Sequence, residues 1–103
     1  MARKHNTDRN GNAWTEQTKL AVWAKGQPIT TGNFPPEIWR WDRCGLVMKY
    51  SEHGNRHSEH GWEVDHINPV DNNGDDNLTN LQPLNWKNNA DKSNKLNWSC
   101  PPR

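Results

Sequence analysis

Apolar residues along this chain fall in short clusters separated by long polar stretches, and the clusters set the elements. Residues 1–12 carry no apolar anchor, which predicts a disordered arm. From Thr15 the pattern changes. Leu20, Ala21, Val22, Trp23 and Ala24 supply apolar faces, Thr15 suits an N-cap, and Glu16 falls in the first turn. Gly26 and Pro28 then stop the predicted helix. Gly32, Pro35 and Pro36 make residues 27–36 a connecting loop, and Pro36 predicts a short helical turn running to Trp41. Residues 45–50, Gly-Leu-Val-Met-Lys-Tyr, are β-prone and predict a strand.

A polar loop over 51–61 follows, in which Ser-Glu-His-Gly occurs twice, a duplication too short to be a structural repeat. Residues 63–67 predict a second strand, closed by Pro69. Residues 71–77, rich in Asn, Asp and Gly, read as a tight turn. Residues 81–84 read as a short extended segment that Pro83 interrupts. Asn85 is a good N-cap for a last helix reaching about Asn94. Asparagines are dense there and poor helix formers, so packing through Trp86 must hold that helix. The expected organisation is an arm over 1–12, one domain over 13–98 and a tail over 99–103.

With 103 residues the chain is one small α+β domain. Only 30% of residues are apolar yet seven are Trp, so a few indoles must carry an aromatic-rich core. The net charge of +1 is too small to argue for nucleic acid by itself. Any such argument rests on local positives, chiefly Lys87, Lys92 and Lys95, with Arg40 and Arg43 as further backbone contacts. Cys44 and Cys100 are far apart and form no framework, so reduced thiols in the cytoplasm are expected. No apolar run approaches the roughly 18–20 residues of a membrane span, and the basic start lacks the apolar segment of a secretory signal.

The chemistry concentrates in Trp62-Glu-Val-Asp-His-Ile-Asn-Pro-Val70, then Asn80-Leu-Gln-Pro-Leu84, then Asn89 and Lys92. A carboxylate and an amide oxygen are hard ligands that suit magnesium or manganese better than zinc. An adjacent neutral imidazole suits a general base near neutral pH. Singly, each residue has an ordinary use: a turn acid, a satisfied core imidazole, a turn amide, a solvated helix face. Adjacent strand residues also point to opposite faces, so Asp65 and His66 can share a site only at a strand end or distortion. His53, His57 and His60 have spacings compatible with zinc, but no nearby Cys or acid cluster completes a tetrahedral set, and a solvated loop is the plainer reading.

At Asp65-His66, Asn73-Gly74-Asp75-Asp76, Asn80-Leu81-Gln82, Asn89 and Lys92 the chain resembles the HNH endonucleases. The resemblance covers roughly residues 44–93 and implies a ββα-metal, or His-Me finger, core at about 44–94. It implies Asp65 and Asn89 as ligands of a divalent metal, most simply Mg2+ with Mn2+ as the alternative. It makes His66 the base that activates water and Asn80 a residue holding the His66 ring, with Lys92 in reach of a phosphate. Two departures stand out. Asn89 replaces the last His of the family name, and the Cys-x-x-Cys pairs that bind structural zinc in many members are absent. Asn85 and Asn88 occupy the sites of the second pair, so no structural zinc is expected and aromatic packing is expected to replace it.

Two readings of function follow. One is a metal-dependent DNA endonuclease. The other is a non-catalytic nucleic-acid-binding module of a larger complex. The first explains why Asp65, His66, Asn80 and Asn89 all persist; the second suits the short length and low charge. A structural zinc protein using the three histidines is a weaker third.

Overall fold

The computed structural model describes residue 4 and residues 6–102. Residues 1–3 and 5 of the expected arm, and residue 103 of the tail, lie outside the described residues. The order is α1 (Glu16–Trp23), β1 (Gln27–Pro28), β2 (Trp39–Trp41), β3 (Val47–Lys49), β4 (Trp62–His66), β5 (Leu81–Asn85) and α2 (Trp86–Lys92). Strands β1, β2 and β3 form one antiparallel sheet, and β4 and β5 form a second.

Both helices begin at their expected caps. The Thr15 side chain accepts from the Thr18 amide, and that of Asn85 accepts from the Lys87 amide. Pro36 opens only a turn, after which Trp39–Trp41 pair as β2 instead of continuing a helix. Pro83 does not interrupt β5. It pairs opposite Val64 within a register running from Trp62↔Asn85 to His66↔Leu81. Proline lacks only a donor, and a two-stranded ribbon leaves one side of each strand free of ladder bonds.

The core gathers Val22 and Trp23 of α1, Met48 of β3, Trp62 and Val64 of β4, and Leu81 of β5. Trp23 lies 5.0 Å from Trp62 and packs edge-on to Tyr50 at 5.3 Å. Only these two of the seven indoles are buried; the others are half-buried. Aromatic packing is thus present in the core as expected, and a buried polar network joins it. Asp42, 2% exposed, is a hub. Its Oδ1 accepts from the amides of Cys44 and Leu46 at 2.9 and 3.0 Å, and its Oδ2 from the Asn85 amide and Asn88 Nδ2 at 3.0 and 2.7 Å. Asn85 Nδ2 bridges on to the carbonyls of Val47 and Glu59, both at 2.9 Å. One carboxylate and two carboxamides thus tie the β2–β3 turn to the start of α2.

Cys44 and Cys100 form a disulfide with Cα atoms 5.4 Å apart, which corrects the expectation of free thiols. The tail folds back beside the β2–β3 turn, where the Arg43 guanidinium lies over the Trp98 ring. A separation of 56 residues hides that return in the sequence. No helix among the described residues is long and apolar enough to cross a membrane.

The described part of the N-terminal segment is docked, contrary to the disorder expected of it. Asn6 Oδ1 accepts from the Val64 amide on the free edge of β4 at 3.1 Å, and Thr7 is buried. A sheet edge needs partners for its amides, and a polar segment can supply them without any apolar anchor.

Candidate metal and nucleic-acid site

Strand β4 ends at His66, and the chain then turns through Asn68 and Pro69. That end resolves the problem of two adjacent residues in one site. Asp65 and His66 both line a cleft of about 470 Å³, together with Asn89 of α2, Asn6, Arg56 and Asp71. The cleft is bounded by the second strand pair and the helix that follows it.

Asp65 is 4% exposed. Its Oδ2 accepts from Gln82 Nε2 at 2.8 Å, directly across the ribbon, and its Oδ1 lies 3.1 Å from Lys92 Nζ. Burial pushes the Asp65 carboxyl upward, while the Gln82 hydrogen bond and the Lys92 charge pull the other way. Each carboxylate oxygen keeps a second lone pair, so these bonds leave acceptor capacity. Asn89 donates through Nδ2 to Glu63 Oε1 at 2.8 Å, which leaves its amide oxygen for another partner. One carboxylate and one amide oxygen bordering the same cleft are a donor set that fits a hard divalent cation with water completing its shell. Among the described residues no group of three or more His, Cys, Asp or Glu is arranged to hold a metal ion by itself.

His66 is 5% exposed, and its Nε2 lies 2.8 Å from Asp76 Oδ1. The Arg9 amide also donates to Asp76, at 3.1 Å to Oδ1 and 3.3 Å to Oδ2. Trp14 packs 5.5 Å from the imidazole. An ionised carboxylate can only accept, so a neutral His66 carries its hydrogen on Nε2 and keeps Nδ1 as the acceptor.

Asn80 spends its side-chain hydrogen bonds away from that ring, which corrects the expectation that it holds His66. Its Oδ1 accepts from the Asn68 amide at 2.7 Å, and its Nδ2 donates to the carbonyls of Asn68 at 3.1 Å and Asp75 at 2.8 Å. Asn80 closes the loop that delivers Asp76. Gly74 is part of the same closure, because a Cβ there would meet the Asn68 carbonyl oxygen at 1.7 Å.

The basic residues divide. Lys92 is buried, with Nζ donating to the His66 carbonyl at 3.0 Å as well as pairing with Asp65, so the expected phosphate contact does not hold in this structure. Arg40 spends its guanidinium on the carbonyls of Pro36 and Gly26 at 3.0 and 2.8 Å, a structural use in place of the expected backbone contact. Lys87, Lys95 and Arg43 are exposed but do not line the cleft. Arg56 does line it, with its guanidinium 5.8 Å from the Trp86 ring. The three histidines diverge: His53 stacks edge-on to Trp62, His60 on Trp39, and His57 is exposed.

Glu63, Arg56 and Asp76 are the residues that sequence reasoning missed. Glu63 carried a signal, since it lies two positions before Asp65 and shares its strand face. Asp76 was visible only as a turn acid, and nothing in the pattern pointed to Arg56.

Residues 43–95 match the family model described as HNH endonuclease. No curated protein and no solved structure gives a match.

Proposed function

We propose that this chain, which belongs to the HNH endonuclease family, is a metal-dependent endonuclease that hydrolyses phosphodiester bonds in DNA. The observation that carries the reading is the convergence of Asp65, His66 and Asn89 on one cleft. Asp65 and Asn89 would hold the metal through a carboxylate and an amide oxygen. When bound, a divalent cation there supplies stabilisation of charge developing on the phosphate and the leaving oxygen. His66 takes a proton from the attacking water at Nδ1, and Asp76 fixes the ring and its tautomer through Nε2. Asn80 and Gly74 shape the loop that keeps Asp76 in place. Lys87 and Lys95 are candidates for contacts with the DNA backbone away from the cleft.

A non-catalytic nucleic-acid-binding module is the second reading, and one observation favours it. Both Asp65 oxygens already have partners, one of them the Lys92 ammonium. A supercoiled-plasmid nicking assay with Mg2+ or Mn2+ separates the two. Nicking by the wild type that disappears in a folded His66→Ala variant supports the enzyme. A wild type that retards DNA but is inert with every divalent metal supports the module.

A further inference from the structure

Glu63 is a buried acid to which the proposed chemistry gives no task. Its side chain is 1% exposed, on the β4 face it shares with Asp65. Arg56 grips it from the cleft side, Nε on Oε2 at 2.8 Å and a terminal nitrogen on Oε1 at 2.9 Å. Asn89 Nδ2 also donates to Oε1, at 2.8 Å. An asparagine amide has two faces of nearly equal shape and opposite polarity. One offers an oxygen to a cation, and the other offers hydrogens that repel it. Packing alone discriminates poorly between them, so the neighbouring hydrogen-bond partner decides. A carboxylate can only accept, and Glu63 therefore draws the NH2 group to itself. The oxygen is left on the far side of the amide.

We propose that Glu63, clamped by Arg56, is a positioning residue that fixes the orientation of Asn89 so that its oxygen faces a divalent metal in the cleft. The inference rests on the assignment of Asn89 as a ligand in the proposed function. It adds a dependence of metal affinity on a residue that does not itself meet the metal. It also explains why an amide can serve at position 89. A carboxylate or an imidazole presents an acceptor more readily, whereas an amide needs an instructing neighbour.

The test is a double-mutant cycle read by calorimetric titration with Mn2+, without DNA or turnover. Glu63→Gln removes a charge and the acceptor-only character while preserving size, and Asn89→Asp makes the two sides of residue 89 equivalent. Glu63→Gln is expected to weaken Mn2+ binding about five- to tenfold beside Asn89, but no more than about twofold in the Asn89→Asp background. Loss of charge alone acts in both backgrounds, so equal losses overturn the proposal. A wild type that binds no Mn2+ overturns both this proposal and the proposed function. Equal losses with tight wild-type binding overturn only the role of Glu63.

If Glu63→Gln does not fold, the metal-free wild type still decides. The Asn89 side-chain NH2 protons should exchange with water at least tenfold more slowly than those of exposed Asn97, because they are held on a buried carboxylate. Exchange as fast as that of Asn97 overturns the proposal.

Discussion

Lys92 ends inside the molecule, its ammonium 3.1 Å from Asp65 Oδ1, and neither side chain is more than 5% exposed. A resident cation therefore already sits beside the proposed metal ligand. Buried charge pairs add little net stability, but removing one partner strands the other. Lys92→Met should lower the stability of the metal-free protein by about 3 kcal/mol. Mn2+ should stabilise the variant by more than it stabilises the wild type, because Asp65 is then free of its ammonium partner. Thermal melts with Mn2+ and with EDTA read both effects. A variant as stable as wild type, or one indifferent to metal, would show that the ion pair and the metal do not share Asp65.

Asp76 and Asn80 should separate catalysis from loop closure. Asp76→Asn should slow nicking by roughly 10²-fold or more by loosening control of the His66 tautomer, with little change in melting temperature. Asn80→Ala deletes three hydrogen bonds to backbone and should cost about 2 kcal/mol as well as activity. Urea unfolding beside plasmid nicking distinguishes the two patterns. Matching behaviour of the variants would mean that Asp76 only braces the loop.

The Asp42 hub should matter as much as a metal staple. Asp42→Ala leaves the Asn85 amide and Asn88 Nδ2 without their shared acceptor in the interior. A loss of about 3 kcal/mol is expected on urea unfolding. A loss below about 1 kcal/mol would return the staple role to the tryptophans.

Reduction of the Cys44–Cys100 bridge should destabilise without inactivating. Closing a loop over a separation of 56 residues is worth at most about 4 kcal/mol on the chain-entropy model. Neither cysteine borders the cleft. Dithiothreitol should therefore lower the melting temperature, while nicking well below the transition continues at its former rate. Loss of nicking in the folded, reduced protein would contradict this.

Stability should fall in mild acid through His53. Burial is the main cause that pushes its ring down to about 4, and the Lys19 charge adds to it. The unfolded chain takes up a proton near pH 6.5, and the folded one only near pH 4. The contribution is thus complete above about pH 6.5 and is lost as pH falls toward 4. The ring is partly exposed, so screening reduces the effect to roughly 1–2 kcal/mol. His53→Gln should flatten that part of the stability–pH curve, and an unchanged slope would assign the acid sensitivity elsewhere.

Much of this arrangement was readable in the residues. Thr15 and Asn85 mark their helices because a cap is a local device, and the Asp65-His66, Asn80 and Asn89 spacing marks a family. What stayed hidden was long-range. The Asn6 bond to Val64 spans 58 positions, and the Cys44–Cys100 bridge spans 56. Lys92 misled for a related reason. Its place on α2 is visible, but whether that face turns to solvent or to Asp65 depends on how the helix packs on β4. Arg40 likewise reads as a surface charge until two separate stretches of chain bring the carbonyls of Gly26 and Pro36 to it.

The docked N-terminal segment has a practical consequence for how the protein is cut. A fragment trimmed to the family match, residues 43–95, would keep Asp65, His66 and Asn89. It would lose the Asn6 oxygen that covers the Val64 amide, the Arg9 amide on Asp76, the Trp14 ring beside His66 and the α1 side of the core. Asp42 and Cys100 would go with them, so both staples would fail at once. The smallest piece that recognisably carries the signature is therefore smaller than the smallest piece that can hold it in shape. Inactivity of such a fragment would report on its missing supports and not on its chemistry.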